Sequence, residues 1–341
     1  GSRALLVGMA VPLVLGACAQ DETERSADPG LDGRAGASTT VAQIDDARIE
    51  NAADEPGTWL AYGRDFREQR FAPLTQINRE SVSDLGLEFV VDVPTAGALE
   101  ATPLVVDGRM YFTSTYSVVY AVDATSGETL WVYDPQIPKD FNRRACCGPI
   151  NRGVAAYEGM VYVGTLDGRL VALNAETGAE VWNVNTVIDQ ERNYSITGAP
   201  RVARGKVFIG NGGAEFGVRG YVTAYDAFSG EQVWRFFTVP GDPSLPFEHP
   251  EMELAAETWK GGEWWEVGGG GTVWNSIVYD PEFNHLYLGV GNGAPWVRVI
   301  RSPGGGDNLF LTSIVAVDAD TGEMKWYYQT VPGDNWDYTA V

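Results

Sequence analysis

The 341-residue sequence contains little cysteine, histidine and positive charge. Its three cysteines form no Cys-x-x-Cys-His motif, which excludes a c-type haem attached within this chain. There are 24 lysines and arginines against 46 aspartates and glutamates, and the resulting net charge of −22 argues against a nucleic-acid partner. Beyond the first residues, no apolar run reaches the length needed to cross a membrane.

The N-terminus predicts an export signal over residues 1–20. Arg3 supplies a positive charge, and a largely apolar run and small residues follow it up to Cys18. The sequence Leu15-Gly16-Ala17-Cys18 is similar to a bacterial lipobox, in which Cys18 becomes a lipid anchor; ordinary cleavage nearby is the alternative. Both predict a protein outside the cytosol, in the periplasm, where disulfides persist.

Residues 21–57 are rich in small and acidic residues and poor in large apolar ones. This composition predicts a flexible tether. Ordered structure is expected to begin near Trp59, so residues 58–341 are assigned to one folded domain.

A repeat occurs four times in that domain. Each copy begins with Ala and ends with Trp ten residues later, with Asp or Asn two residues after the Ala and Gly six residues after it. The copies span residues 121–131, 172–182, 224–234 and 316–326. Repeats with fixed internal spacing indicate stacked supersecondary units.

Each repeat predicts two strands joined by a tight turn, in which Gly takes the positive-φ position. With a further apolar strand upstream of each copy, the units become four-stranded antiparallel blades of an all-β propeller. The Trp is expected to wedge between neighbouring blades, and an array of unrelated hairpins is the alternative. Four blades and one insertion around residues 242–271 are predicted, as part of a longer protein.

Two adjacent cysteines, Cys146 and Cys147, precede a Gly-Pro turn and Arg152. If joined, they form a small strained ring of the kind found at functional sites, and Arg152 could bind a carboxylate. Two free thiols in a loop, with Arg152 on the surface, are the alternative.

The blade repeats, Cys146-Cys147-Gly148-Pro149-Ile150-Asn151-Arg152 and Gly333-Asp334-Asn335-Trp336-Asp337-Tyr338 together resemble the PQQ-dependent alcohol dehydrogenases. The quinohaemoprotein subgroup is the most similar, and the resemblance covers residues 57–341, about the first half of the family's eight-bladed propeller. It implies pyrroloquinoline quinone (PQQ) stacked between a Cys146–Cys147 disulfide and the indole of Trp274.

The resemblance also assigns roles to other residues. The implied cofactor contacts are Glu100, Arg152, Thr197, Gly212, Gly213, Ala214 and Thr272. The implied metal ligands are Glu215, Asn292 and Asp337, an oxygen set that suits Ca²⁺. Lanthanide-dependent relatives have Asp two residues after the catalytic Asp, where this sequence has Thr339, so calcium is predicted.

Asp337 matches the family's general base, which takes the proton of the alcohol, and Asp334 is interpreted as a turn residue. The implied reaction converts a primary or secondary alcohol to an aldehyde or ketone and passes electrons to a cytochrome c or a similar acceptor. Two alternatives remain: a non-catalytic propeller that serves as an assembly scaffold, and a quinoprotein acting on sugars or polyvinyl alcohol.

Overall fold

The computed structural model describes residues 3–6 and 40–340. Its main feature is a set of four sheets, each of four antiparallel strands in chain order from one edge to the other. The prediction of an all-β propeller built from four-stranded blades is confirmed. Cys18 and most of the predicted signal lie outside the described residues.

Two strands and a helix precede the first two blades. Strand β1 (Arg3–Leu6) pairs antiparallel with β2 (Phe89–Asp92), and helix α1 (Asp46–Glu50) lies between them in the chain. Blade one comprises β3 (Leu104–Val106), β4 (Arg109–Thr113), β5 (Val119–Asp123) and β6 (Thr129–Tyr133). Blade two comprises β7 (Ala155–Tyr157), β8 (Met160–Gly164), β9 (Arg169–Asn174) and β10 (Glu180–Asn185).

Blades three and four follow, with additional elements around the fourth. Blade three comprises β11 (Arg201–Ala203), β12 (Lys206–Gly210), β13 (Tyr221–Asp226) and β14 (Gln232–Phe237). The chain continues with α2 (Pro250–Ala256), β15 (Gly269–Gly270), β16 (Ile277–Asp280), β17 (His285–Gly289), β18 (Gly293–Ala294), α3 (Arg298–Arg301), β19 (Ser313–Asp318) and β20 (Met324–Gln329). Blade four contains β16, β17, β19 and β20, while β15 pairs with β18.

The repeat turns have the predicted geometry. In the first copy, the Asp123 carboxylate accepts hydrogen bonds from the backbone N–H groups of Thr125 and Ser126, at 2.9 and 2.8 Å. Gly127 follows at φ +74°, a conformation that glycine adopts without the penalty of a Cβ. The constant spacing within the repeats is therefore explained by a turn between the third and fourth strands of the blade, which the Asp side chain caps.

The first three repeat tryptophans lie between neighbouring blades, as predicted for the repeat. The indole N–H of Trp131 donates to the carbonyl of Ala175 in blade two at 3.1 Å. Trp182 bonds Ala227 of blade three in the same way, and Trp234 bonds Ala319 of blade four, at 3.0 and 3.2 Å. Each indole thus combines apolar burial with a satisfied polar atom.

The predicted tether is wrong for its C-terminal part. Ile44 and Ile49 are fully buried in the cluster that joins the first two blades. The α1 segment also contacts three blades, because Arg48 pairs with Asp107, the Ile44 carbonyl accepts from the backbone of Glu158, and Asp46 accepts from the backbone of Arg204. Residues 41–57 are therefore part of the folded domain.

The long interval before the fourth Trp contains two excursions, whereas the sequence predicted one. Residues 242–271 precede blade four, and residues 290–312 lie between β17 and β19 inside it. The ribbon of β15 and β18 joins the two. Among the described residues, the longest helix has seven residues, and none is long and apolar enough to span a membrane.

Candidate cofactor site

One cavity brings together most of the residues predicted for the site. It encloses about 740 Å³ of space, counting its open mouth, which is within the range of small-molecule sites. Its lining residues are Ala145, Cys146, Cys147, Ile150, Arg152, Ser195, Thr197, Gly212, Gly213, Ala214, Glu215, Thr272, Trp274, Asn292, Asp337 and Thr339. Glu100 is the one predicted residue outside this lining, and it reaches the site through Arg152.

The vicinal cysteines occupy the connection between blades one and two. The structure joins Cys146 to Cys147 through their sulfur atoms. Both residues are exposed and line the cavity, whereas Pro149 is buried. Asn151 fixes this connection, because its side-chain amide donates to the Gly164 carbonyl at 2.8 Å and accepts from the Thr113 hydroxyl at 2.8 Å. The paired sulfurs are thus held by a buried polar anchor.

Trp274 belongs to the segment that leads into the first strand of blade four. Its backbone passes so close to Gly198 that a Cβ on that glycine would lie 2.5 Å from the Trp274 carbonyl oxygen. Gly291 similarly leaves room for the indole, because a Cβ there would lie 3.3 Å from the ring carbon Cδ1. Glycines on two neighbouring segments therefore allow the tryptophan to reach the cavity.

Arg152 is the positive group of the cavity. One guanidinium nitrogen donates to the Thr197 hydroxyl at 2.8 Å, and the other lies 3.5 Å from a Glu100 carboxylate oxygen. The guanidinium carbon is 4.9 Å from the centre of the Trp274 ring, within the range of a cation–π contact. Burial lowers the pKa of Arg152, but an arginine remains charged, so the cavity keeps a cation suited to a carboxylate.

A cluster of oxygen-bearing side chains lies elsewhere on the cavity wall. Glu215 is in a single 3₁₀ turn, Ala214–Phe216, and its carboxylate accepts from the amide of Asn292 at 3.0 Å. Asp337 lines the same cavity. Partial burial, followed by the negative charges of Glu215 and Asp334, raises the pKa of Asp337. The cluster therefore has an excess of negative charge that a cation would relieve.

The donor set fits a hard cation that shares its shell with a second ligand. The described residues contain no group of three His, Cys, Asp or Glu side chains placed to hold a metal. Two carboxylates and one amide are instead available, from Glu215, Asp337 and Asn292. Since Ca²⁺ takes six to eight oxygen ligands, this chain supplies part of a shell that a bound carbonyl-rich molecule would complete.

Arg301 is a site-supporting residue that the sequence analysis missed. It is 1 % exposed, and its guanidinium donates to the carbonyls of Pro295 and Trp296 and to that of Asp334, at 2.6, 2.8 and 2.6 Å. Burial lowers its pKa to about 10. The segment that carries Asp337 is thereby tied to the segment after Asn292. No repeat or motif marks Arg301 in the sequence, because its partners are three backbone carbonyls and one side chain, that of Asn308.

Fold and cavity together define a β-propeller whose cavity is lined by a linked cysteine pair, an indole, an arginine and two carboxylates. A family model described as PQQ: glucose/ethanol/alcohol dehydrogenase, β-propeller domain, matches residues 59–340. Because this match covers most of the chain, the chain belongs to that family.

Named relatives agree with this assignment. The chain is 56% identical over 301 residues to quinohemoprotein alcohol dehydrogenase ADH IIB of Pseudomonas putida, covering 88% of this chain and 44% of the relative. It is 58% identical to the solved quinohemoprotein alcohol dehydrogenase ADHIIG of Pseudomonas putida HK5, with a TM-score of 0.87, covering 89% of this chain and 44% of that one.

A more distant solved structure has a metal in its name. The europium-containing methanol dehydrogenase is 35% identical, with a TM-score of 0.76, and the match covers 86% of this chain and 52% of that one.

The chain spans less than half the length of the curated relatives it matches, so the similarity concerns only a part of those enzymes.

Proposed function

We propose that the complete protein containing this chain oxidises a primary or secondary alcohol to an aldehyde or ketone, using PQQ and Ca²⁺. The observation that carries the proposal is the cavity, which has the Cys146–Cys147 pair, Trp274 and Arg152 around it and carboxylates on its wall. The named relatives, which are quinohemoprotein alcohol dehydrogenases, support the alcohol as substrate.

The cavity residues would hold PQQ by three kinds of contact. The paired sulfurs and the indole offer apolar surfaces to a planar ring system. Arg152, with Glu100 and Thr197 orienting its guanidinium, would bind a carboxylate of PQQ. The backbone of Gly212, Gly213 and Ala214 would allow close approach, and Thr272, which lines the same cavity, has a hydroxyl that would form a hydrogen bond.

The cation would be held by Glu215, Asn292 and Asp337. Rotation of the Asn292 amide would present its oxygen in place of the nitrogen that now bonds Glu215. Thr339 occupies the position at which lanthanide-dependent relatives have an additional carboxylate. With two carboxylates in the set, we favour Ca²⁺ over a lanthanide.

Asp337 is the general base in this proposal. When bound, PQQ would supply a quinone that accepts two electrons from the alcohol, carried by the hydride that leaves its carbon. The Asp337 carboxylate takes the hydroxyl proton, and a neighbouring cation would keep that carboxylate ionised. Asp334 does not suit this role, because it is 2 % exposed and its carboxylate accepts from the backbone of Trp336 at 3.0 Å.

The acceptor and the location follow from the same assignment. A cytochrome c or similar acceptor in the periplasm would receive the electrons; the acceptor is supported by a relative named 1-butanol dehydrogenase (cytochrome c), which is 49% identical. A lipid anchor at Cys18 stays a prediction from the sequence. A scaffold role would require neither a Cys146–Cys147 pair nor carboxylates at the cavity, and both are present. A preference for sugars or polyvinyl alcohol would be recognised as faster turnover of those substrates than of simple alcohols.

The test is the substitution Asp337→Asn in the complete protein. Turnover of a panel of alcohols with an artificial electron acceptor should fall by a factor of at least about 10²–10⁴, the typical contribution of a general base. PQQ should remain bound, as judged by its absorbance after gel filtration. Asp334→Asn is the matched control and should keep most of the activity if the protein folds. Retained activity in Asp337→Asn would move the base elsewhere, and no turnover by the wild-type protein would favour the scaffold.

A further inference from the structure

Thr339 makes a contact that none of the roles above uses. Its hydroxyl oxygen accepts a hydrogen bond from the indole N–H of Trp274 at 3.2 Å, across 65 residues of sequence. Both side chains line the cavity. The bond therefore joins the segment that carries Asp337 to the aromatic wall of the site.

The Thr339 segment is itself anchored to blade four. The backbone N–H of Ala340 donates to the carbonyl of Val290 at 3.2 Å. Gly291 lies beside the contact, since a Cβ there would be 3.3 Å from the Trp274 ring and 3.5 Å from the Thr339 hydroxyl. The hydroxyl is thus held at the edge of the indole by backbone structure.

The orientation of Trp274 is otherwise weakly specified by polar contacts. Within the part of the chain that the structure describes, the bond to Thr339 is the one shown for its indole nitrogen. Arg152 lies over the ring, which favours a face but does not distinguish the two edges. Because the second side-chain torsion of tryptophan is broad, a directional hydrogen bond at one edge is what selects a single ring orientation.

We propose that Thr339 is a positioning residue: its hydroxyl fixes the rotation of the Trp274 indole and so sets the stacking surface relative to the Asp337 carboxylate two residues away. This inference rests on the proposed function, because it concerns how the chain receives a planar cofactor. One neutral hydrogen bond corresponds to a difference of roughly 2- to 12-fold in the population of the bonded orientation. Loss of the hydroxyl should weaken cofactor binding by a factor of the same size.

The first measurement uses the apo form of the complete protein. The ¹⁵N–¹H signal of the Trp274 indole is assigned by comparison with Trp274→Phe and recorded in Thr339→Val and Thr339→Ser. Valine keeps the shape of threonine and removes the acceptor, whereas serine keeps the hydroxyl. We expect Thr339→Val to shift or broaden the signal and Thr339→Ser to leave it near the wild-type position. An unchanged signal in Thr339→Val would overturn the proposal.

The second measurement is the affinity for PQQ, obtained by titration with Ca²⁺ present and read from tryptophan fluorescence. Thr339→Val should bind PQQ roughly 2- to 12-fold more weakly than wild type, and Thr339→Ser should bind within about twofold. Equal PQQ affinities in wild type and Thr339→Val would show that the hydroxyl has no role in cofactor binding and would overturn the proposal. Equal losses of affinity in Thr339→Val and Thr339→Ser would overturn it as well, because serine keeps the hydroxyl. Thr339→Ala replaces Thr339→Val if the latter fails to fold.

The two measurements separate this inference from the proposed function. If the wild-type protein does not bind PQQ, the proposed function fails, and the positioning role toward a cofactor fails with it. If wild type binds PQQ and Thr339→Val leaves either the indole signal or the affinity unchanged, the proposed function stands and the role of Thr339 alone is refuted.

Discussion

The three junctions between blades differ from the outer face of blade four. Trp131 and Trp234 are 9 % and 8 % exposed, and each lies under the turn of the following blade. Trp326 occupies the same position of the repeat and is 44 % exposed. It keeps a tilted contact with Tyr287 in its own blade, as Trp131 does with Tyr111.

This difference shows which part of the repeat is local and which depends on a neighbour. The turn and the strand pairing form within a blade, as they do in blade four. The burial of the indole and the bond from its N–H come from the next blade in the series. Stability in such arrays is therefore a sum of unit terms and interface terms, and the repeat tryptophans report the interface terms.

The largest expected effect comes from removing a covered indole. Trp131→Ala should destabilise the protein by about 3–5 kcal/mol, as large-to-small core substitutions do. Trp326→Ala in the same 341-residue chain should cost about 1 kcal/mol or less, because much of the ring is exposed. Urea unfolding of both variants measures the difference, and equal losses would show that Trp326 is covered by a contact the structure does not contain.

A smaller effect isolates the contact between an indole and the turn below it. Gly178→Ala places a Cβ 2.6 Å from the Trp131 ring at a φ of +73°. Gly108→Ala is the matched control, because its φ is +74° and nothing lies within 4 Å of the added Cβ. The positive φ should cost both variants about 1–2 kcal/mol, and overpacking should cost Gly178→Ala a further ~1–3 kcal/mol. Equal costs would remove the indole from the explanation.

The smallest effect concerns the junction that also carries the insertion. His249 stacks on Phe236 at 4.6 Å, its Nε2 accepts from the backbone of Phe237 at 3.0 Å, and its Nδ1 lies 2.9 Å from Glu251. Burial lowers the pKa of His249 from its usual 6.5. The unfolded chain therefore binds a proton more readily, and the stability that the neutral ring contributes above about pH 6.5 is lost as the pH falls.

Thermal unfolding at pH 7 and pH 5 tests this expectation. The melting temperature of wild type should fall more between these values than that of His249→Gln, by an amount on the order of a few degrees. Glutamine removes the titration while keeping an acceptor for Phe237. If the two proteins lose the same number of degrees, His249 does not link the insertion to blade three in a pH-dependent way.

The repeat made the fold predictable, because each copy contains its own turn and strand pattern. Residues 41–57 were misjudged for the opposite reason. Only a few apolar residues, Ile44 and Ile49 among them, lie in a polar and acidic stretch, so composition indicated a tether. Their burial depends on surfaces of blades one and two that are distant in sequence, and no local pattern reports such a partner.

The site was predictable where a residue type and its spacing are unusual, as at Cys146 and Cys147. The structure places these residues, Trp274 and the three proposed metal ligands around one cavity, while their roles stay predictions. The supporting residues Asn151, Arg301 and Thr339 could not be found in the same way. They act through backbone carbonyls and through single polar contacts, to Thr113 for Asn151, Asn308 for Arg301 and Trp274 for Thr339. Such contacts leave no signature in the sequence.

The most direct test of the central claim is a crystal structure of the complete protein with PQQ and Ca²⁺. The account predicts electron density for a planar tricyclic molecule between the Cys146–Cys147 pair and the Trp274 ring. It also predicts an anomalous peak for calcium within about 2.3–2.6 Å of oxygens from Glu215, Asn292 and Asp337. Density for PQQ outside this cavity, or a calcium bound by other residues, would contradict it.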